Sequence, residues 1–193
     1  MAFDVHLPAG FVGPNPMDFD VRCFLVPHAT GISLIDTGLP GSAAELGLAL
    51  DRVGATWADV SDILLSHDHP DHVGGLAEVV ALTPRATVWG NAPLAARALV
   101  DGEIVNDLRI FETPGHTAGH VSFLHGEGTL FVGDLVGSSD GRLERAPAPF
   151  TADALQAELS IRKIADVEAD RLLFAHGAEI DHPQQALRAL LGG

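Results

Sequence analysis

The sequence contains one cysteine, no tyrosine and few basic residues, and each shortage narrows what the protein can be. A single cysteine, Cys23, excludes an intrachain disulfide and is typical of a protein in the reducing cytosol. No apolar run approaches the roughly 20 residues that a membrane-spanning helix needs. The N-terminus has no basic segment followed by an apolar core, so we expect no secretory signal and a cytoplasmic location.

Acidic residues far outnumber basic ones, with 26 Asp and Glu against 11 Lys and Arg and a formal net charge of −15. A field of this sign repels nucleic-acid phosphates and anionic membrane surfaces. No cluster of Lys and Arg interrupts it. We therefore expect no nucleic-acid or membrane partner, and instead a small-molecule substrate; the composition leaves the oligomeric state open.

A chain of 193 residues, of which 47% are hydrophobic, fits one domain spanning 1–193 with a substantial core. Periodicity predicts strands at about 20–26, 31–35, 62–66, 87–89, 108–112, 121–125, 129–133 and 171–174. It predicts helices at about 42–53, 71–82, 93–100, 151–165 and 184–191, and a loop at 137–150. This order favours packed sheets with helices outside, an α+β arrangement, over regular βαβ alternation.

The most informative stretch is 66–72, Ser-His-Asp-His-Pro-Asp-His, which follows the apolar run 63–65. Five ionisable side chains crowded at the end of a buried strand need compensation for their desolvation and mutual repulsion. A divalent cation supplies it, because imidazole and carboxylate are ligands that a borderline metal prefers. The alternative is a solvated His-rich turn, but short His-rich tracts favour metal binding.

Three further polar residues follow predicted strands in the same way: His116, Asp134 and His176. Side chains from several strand ends can converge at one rim of packed sheets, where rigid elements hold them and loops admit substrate. The sequence therefore predicts a metal site assembled from four separate segments.

Together these motifs resemble those of the metallo-β-lactamase superfamily. The matching phrases are Leu-Ile-Asp-Thr-Gly at 34–38, His-Asp-His-Pro-Asp-His at 67–72, Pro-Gly-His-Thr-Ala-Gly-His at 114–120, Gly-Asp at 133–134 and Ala-His-Gly at 175–177. The resemblance implies a four-layer αβ/βα sandwich of the metallo-β-lactamase type, with a two-metal site at one edge.

The resemblance also implies seven ligands. The first metal would be held by His67, His69 and His116, the second by Asp71, His72 and His176, and Asp134 would bridge both. Zinc is the first choice because imidazole-rich, open sites suit it, with iron or manganese as alternatives. Two such ions would share a bridging hydroxide as nucleophile, and Asp71 would also act in catalysis by orienting that hydroxide and accepting its proton.

The predicted function is hydrolysis of a small ester, thioester or lactone. Glyoxalase II-like hydrolases resemble the chain in their metal motif, but they carry a C-terminal helical extension with basic residues and Tyr for glutathione. This chain ends soon after His176 and has no Tyr, which disfavours a glutathione thioester. The alternatives are a β-lactam hydrolase, a persulfide dioxygenase-like oxidoreductase with one iron, and a metal-binding sensor or redox module without catalysis.

The remaining candidates around these motifs are expected to play supporting roles. We expect Asp36 to orient a ligand histidine and His120 to support the site without ligating. Cys23 is expected in the core. The exact roles of Asp68, His120 and His182 are left open.

Overall fold

The computed structural model describes residues 1–7, 16–91 and 93–192. In this part of the chain the strands are β1 (Ala2–Leu7), β2 (Met17–Arg22), β3 (Phe24–His28), β4 (Gly31–Ile35), β5 (Val60–Leu64), β6 (Thr87–Trp89), β7 (Ile104–Val105), β8 (Leu108–Glu112), β9 (Val121–His125), β10 (Thr129–Phe131), β11 (Val136–Ser139), β12 (Arg142–Arg145) and β13 (Arg171–Leu173). The α-helices are α1 (Ala43–Arg52), α2 (Pro70–Val73), α3 (Leu76–Leu82), α4 (Ala154–Ala165) and α5 (Pro183–Gly192). Within these residues, no helix combines the length and the apolar character needed to cross a bilayer.

Two mixed sheets form the centre of the fold. The first has the strand order β3-β4-β5-β6, and the second has the order β13-β10-β9-β8-β7. In the first sheet β4, β5 and β6 run parallel, and in the second β13 runs parallel to β10. The hairpins β1–β2 and β11–β12 form two smaller sheets.

Three clusters of buried apolar side chains separate four layers. One cluster joins the first sheet to α1 and α3, one fills the space between the sheets, and one joins the second sheet to α4 and α5. In β5, Ile63 faces the helices while Leu64 faces the other sheet, because successive side chains of a strand point to opposite sides. Both sides are covered, which explains the continuous apolar run. The predicted α+β, four-layer αβ/βα sandwich is confirmed.

Most predicted elements are found within a few residues of their expected bounds. At the start of α4, the Asp153 carboxylate accepts a hydrogen bond from the Gln156 backbone N–H at 2.9 Å, as expected of an N-cap. On the same helix Ile161 and Ile164 are buried, whereas Leu155 remains 82% exposed. The larger apolar residues of α4 therefore do not all face the core.

Two predicted elements are interrupted where the chain changes partner. The expected strand 20–26 is two strands, because β2 pairs with β1 and β3 pairs with β4, with the break at Cys23. The expected helix 71–82 divides at Gly75, whose N–H donates to the Gly38 carbonyl rather than along the helix. A Cβ on Gly75 would lie 2.4 Å from the Thr37 carbonyl oxygen, so only glycine permits this approach of two backbones.

Two other predictions are wrong. Residues 93–100 are not helical, because the N–H groups of Ala96 and Arg97 donate to the Val88 carbonyl and extend the edge of β6. Residues 137–150 hold most of the hairpin β11–β12 rather than a loop. Its turn is Asp140-Gly141, with φ of +51° and +72°. Asp-Gly is a strong hairpin signal, and the prediction of a loop did not take it into account. Strand β1 and the two-residue strand β7 were also not predicted.

Candidate metal centre

The seven predicted ligands meet beyond the ends of strands from both sheets. His67, His69, Asp71 and His72 follow β5, His116 lies between β8 and β9, Asp134 follows β10 and His176 follows β13. The backbone joins these segments: the Val121 N–H donates to the Ser66 carbonyl at 2.9 Å, and the Ala175 N–H donates to the Gly133 carbonyl at 3.0 Å. Paired backbones thus fix the spacing of the segments.

One group of side chains contains three histidines and Asp134. His67, His69, His116 and Asp134 each offer one ligand atom, and these atoms all lie within 4.8 Å of one another. His116 Nε2 lies 3.0 Å from His69 Nδ1 and 3.5 Å from Asp134 Oδ2. These are the side chains that the resemblance assigns to the first metal, together with the predicted bridging carboxylate.

The second group shares Asp134 with the first. Asp71, His72, Asp134 and His176 also offer ligand atoms within 4.8 Å of one another. His176 Nε2 lies 2.9 Å from Asp134 Oδ2, and His72 Nε2 lies 3.1 Å from Asp134 Oδ1. Asp134 therefore belongs to both groups, which is compatible with its predicted bridging role.

The donor atoms in these groups fit divalent cations. Among them, His67 Nε2 is buried without a hydrogen-bond partner, and the buried atoms His72 Nε2 and Asp134 Oδ1, 3.1 Å apart, have no partner other than each other. A buried polar atom without any partner costs about 1–3 kcal/mol. Lone pairs of imidazole nitrogen and carboxylate oxygen that converge on one space are the ligands of a zinc-type ion.

The other ring nitrogens of three ligand histidines are held from outside the centre. His72 Nδ1 lies 2.8 Å from Asp36 Oδ2, and His67 Nδ1 lies 3.0 Å from the Ser66 hydroxyl. His176 Nδ1 lies 2.5 Å from the backbone carbonyl oxygen of Asp20. Such partners fix the tautomer and the ring orientation, so that Nε2 faces the centre. Asp36 thus contacts a predicted ligand, as expected.

Burial and neighbouring charges set the protonation of the centre. Burial lowers the pKa of His67 well below 6.5 and lowers the pKa of His116 to about 3, so both imidazoles are neutral at pH 7. Burial would also lower the pKa of His72, but the carboxylates of Asp134 and Asp36 outweigh it and raise that pKa. These carboxylates therefore favour the imidazolium form of His72, whose Nε2 proton a bound cation would displace.

His120 is buried beside the centre but belongs to neither ligand group. Its Nδ1 lies 2.9 Å from the Thr113 hydroxyl, and its Nε2 accepts a hydrogen bond from the Asp134 backbone N–H at 3.3 Å. Burial lowers its pKa to about 4, so the ring is neutral and can accept that bond. His120 therefore supports the backbone that presents Asp134, in agreement with its expected role.

The structure adds a contributor that the sequence did not reveal. The backbone carbonyl oxygen of Asp20, in β2, accepts a hydrogen bond from His176 Nδ1. The Oδ1 atom of Asp20 accepts a second hydrogen bond, from the Gly177 N–H at 2.9 Å. Its Oδ2 pairs with Arg22 at 2.6 Å. A polar residue in an amphipathic strand carries no signal of this role, because the contact spans 156 residues.

A cavity of about 410 Å³ opens beside the first ligand group. It is lined by His67, His69 and His116, and also by Asp68, Asn91 and the segments 117–119 and 149–152. A small molecule that enters it would therefore reach the three-histidine group. In the part of the chain that the structure describes, His182 is exposed and does not line this cavity.

Comparison with known proteins agrees with this arrangement. A family model described as the metallo-beta-lactamase superfamily matches residues 17–98 and 85–176. A hydroxyacylglutathione hydrolase from Aeromonas salmonicida (strain A449) is 32% identical over 169 residues, covering 82% of this chain and 61% of the hydrolase. The chain thus spans less than two thirds of the length of that curated relative.

Two solved structures share the fold. A metallo-beta-lactamase family protein from Thermus thermophilus has a TM-score of 0.71 at 23% identity, covering 99% of this chain and 78% of its own. TTHA1623, solved in a di-iron-bound form, has a TM-score of 0.70 at 25% identity, covering 95% of this chain and 96% of its own. Both therefore extend over nearly all of the present chain.

Proposed function

Because the chain belongs to the metallo-β-lactamase superfamily, we propose that it is a metal-dependent hydrolase of a small ester, thioester or lactone. The observation that carries the proposal is the pair of ligand groups that share Asp134 beside an open cavity. The similarity to a hydroxyacylglutathione hydrolase, whose name describes a thioester hydrolase, supports this class of reaction.

The residues of the two groups would have distinct roles in such a reaction. His67, His69 and His116 would hold one ion, Asp71, His72 and His176 the other, and Asp134 both. When bound, two divalent ions supply Lewis acidity and bring the pKa of water toward about 7. The Asp71 carboxylate is partly exposed, with Oδ2 at 3.6 Å from His176 Nε2, so it can accept a proton at the solvent side of the second group.

We propose zinc as the native metal, because five of the seven ligands are imidazoles and two are carboxylates. Iron is the specific alternative, since the similar structure of TTHA1623 is described as di-iron-bound. Manganese suits a carboxylate-rich site better than this one.

The test is elemental analysis of the purified protein, paired with a hydrolysis screen over thioesters, esters, lactones and β-lactams. We expect two metal ions per chain and turnover of a thioester, ester or lactone, both lost in Asp134→Asn. His6→Ala is the matched control, because His6 is exposed and belongs to neither ligand group.

Three results would contradict the proposal. One iron per chain with oxygen uptake would identify the dioxygenase instead, and turnover of β-lactams alone would identify a β-lactamase. Two tightly held ions with no exchangeable water and no turnover would indicate a sensor or redox module.

A further inference from the structure

The cavity beside the first ligand group has an uneven distribution of charge. Apart from the ligand histidines, the described residues that line it include one charged side chain, the exposed carboxylate of Asp68. None of the 11 Lys and Arg residues, all of which lie in the described ranges, lines the cavity. An anionic side arm that extended past the ligand groups, away from any metal that they hold, would meet a carboxylate and no Lys or Arg.

Several of the basic residues form ion pairs elsewhere. Arg22 pairs with Asp20, Arg145 with Glu158, and Lys163 with Asp101. Arg171 makes a further pair with Glu179. These side chains would have to leave existing partners before they could bind a substrate carboxylate.

Asn91 supplies the cavity with a neutral hydrogen-bonding group of fixed orientation. Its Oδ1 accepts the Leu99 backbone N–H at 3.0 Å, and since an N–H can bond only to the amide oxygen, the Nδ2 end is left as a donor. The backbone of Gly119 packs closely against the backbone of Asn91, because a Cβ on Gly119 would lie 2.9 Å from the Asn91 backbone carbonyl oxygen. A carbonyl or ether oxygen of a substrate matches such a donor.

The remaining wall combines apolar side chains with the threonines Thr117 and Thr151. Pro149 and Phe150 line it together with Ala118 and Ala152. A cavity of about 410 Å³ admits a small acyl or leaving group. Apart from the histidines, the cavity is therefore lined by neutral groups and one carboxylate.

From this juxtaposition we propose that the cavity selects substrates whose side arm is cationic or uncharged over substrates whose arm is anionic, with Asp68 as the specificity-determining residue. The inference rests on the proposed hydrolase function and names its substrate class. It sets this chain apart from enzymes of glutathione thioesters, because glutathione carries two carboxylates and one ammonium.

The test uses three thioesters with the same reacting group and side arms ending in an ammonium, an amide or a carboxylate. The measured quantity is the ratio of kcat/KM for the ammonium arm to that for the carboxylate arm. The wild-type ratio should exceed one, and Asp68→Asn should lower it by about fivefold, the upper range for a solvent-exposed charge pair. A ratio cancels any general effect of the variant on metal content. Asp51→Asn, an exposed change outside the cavity, should leave it unaltered.

Binding measurements test this inference independently of the proposed hydrolase activity. Thioether analogues that cannot be hydrolysed report the same preference as a ratio of Kd values on the metal-loaded protein, whether or not any thioester turns over. Since the Debye length falls from about 30 Å at 0.01 M salt to about 3 Å at 1 M, the preference should also shrink with salt. Equal or tighter binding of the carboxylate arm, or a ratio that Asp68→Asn does not change, would overturn the proposal.

Discussion

The Nδ1 atom of His72 lies 2.8 Å from Oδ2 of Asp36, although 36 residues separate them in the chain. The same carboxylate accepts the Ser66 N–H and hydroxyl, each at 2.7 Å. Asp36 holds this position with φ of +59°, a conformation that costs a non-glycine residue about 1–3 kcal/mol. Three hydrogen bonds offset that strain and orient His72 toward the second ligand group.

Replacing Asp36 with Asn should therefore weaken the second metal site selectively. The amide would keep one acceptor but turn an N–H₂ group toward His72 or Ser66, each of which donates to Asp36. We expect the affinity for the second ion to fall about 10- to 100-fold, with a smaller change at the first. Metal titration against a competing chelator measures both affinities. Equal losses at the two sites would show that Asp36 only stabilises the fold.

Removing the shared carboxylate should affect both sites together. In the wild type, metal added at about 100 times its Kd should stabilise the native state by about 2.7 kcal/mol for each of the two sites, raising Tm. Asp134→Ala should abolish most of this gain, because Asp134 belongs to both ligand groups. His67→Ala is the comparison and should lose the gain from one ion only. A full metal-dependent rise in the Tm of Asp134→Ala would refute the bridging role.

Gly115 should be intolerant of any side chain. Its φ is +133°, and an added Cβ would lie 2.1 Å from the backbone nitrogen of Ala157 in α4. Gly115→Ala would push α4 away from the loop that carries His116, so we expect a loss of more than about 2 kcal/mol in the free energy of unfolding.

The control for that substitution is Gly102, whose φ is +80° but whose Cβ would meet nothing within 4 Å. Gly102→Ala should cost only about 1 kcal/mol of backbone strain. Urea unfolding of both variants gives the difference, and metal titration of Gly115→Ala should show weaker binding at the first site. Similar losses in the two variants would mean that strain, not packing against α4, decides the effect.

Asp62 should make the stability of the protein sensitive to acid. Burial raises the pKa of its carboxyl, but hydrogen bonds from Ser61, Asn106 and Trp89 outweigh burial and hold the pKa below 3.8. These bonds are lost on unfolding, so the unfolded pKa is the higher one. The stabilisation is therefore complete above pH 3.8 and is lost as the pH falls through the folded value.

The variant Asp62→Asn should lose about 1 kcal/mol at pH 7, a modest amount because water screens this partly exposed group. The difference in the free energy of unfolding between wild type and variant should narrow below pH 3.8. Chemical denaturation at a series of pH values measures it, with Asp51→Asn as the exposed control. A gap that stays constant down to about pH 2, well below the ordinary pKa of an aspartate, would contradict the assignment.

Much of the fold could be predicted because local patterns reported tertiary burial. Strand β5 is apolar on both sides because both sides are covered. Helix α4 begins where the Asp153 carboxylate can accept a hydrogen bond from a backbone N–H that has no partner within the helix. The errors fall where a backbone bonds to a distant segment. The Gly75 N–H donates a hydrogen bond to the Gly38 carbonyl, which interrupts a predicted helix. The Ala96 N–H donates a hydrogen bond to the Val88 carbonyl, which keeps residues 93–100 from forming a helix. Neither partner can be recognised from the residues next to it.

The sequence by itself predicted which side chains come together, because acids and histidines directly after apolar strands are expected at one edge of packed sheets and because their motifs resemble those of the metallo-β-lactamase superfamily. Only the tertiary structure decided how they are held. The carbonyl of Asp20 reaches His176 across 156 residues, and Asp36 and His120 support ligands from other strands. The arrangement of Asp68 and Asn91 around one cavity is likewise a product of packing. Hydrogen bonds between distant segments depend on how the two sheets are stacked, and no periodicity along the chain records that stacking.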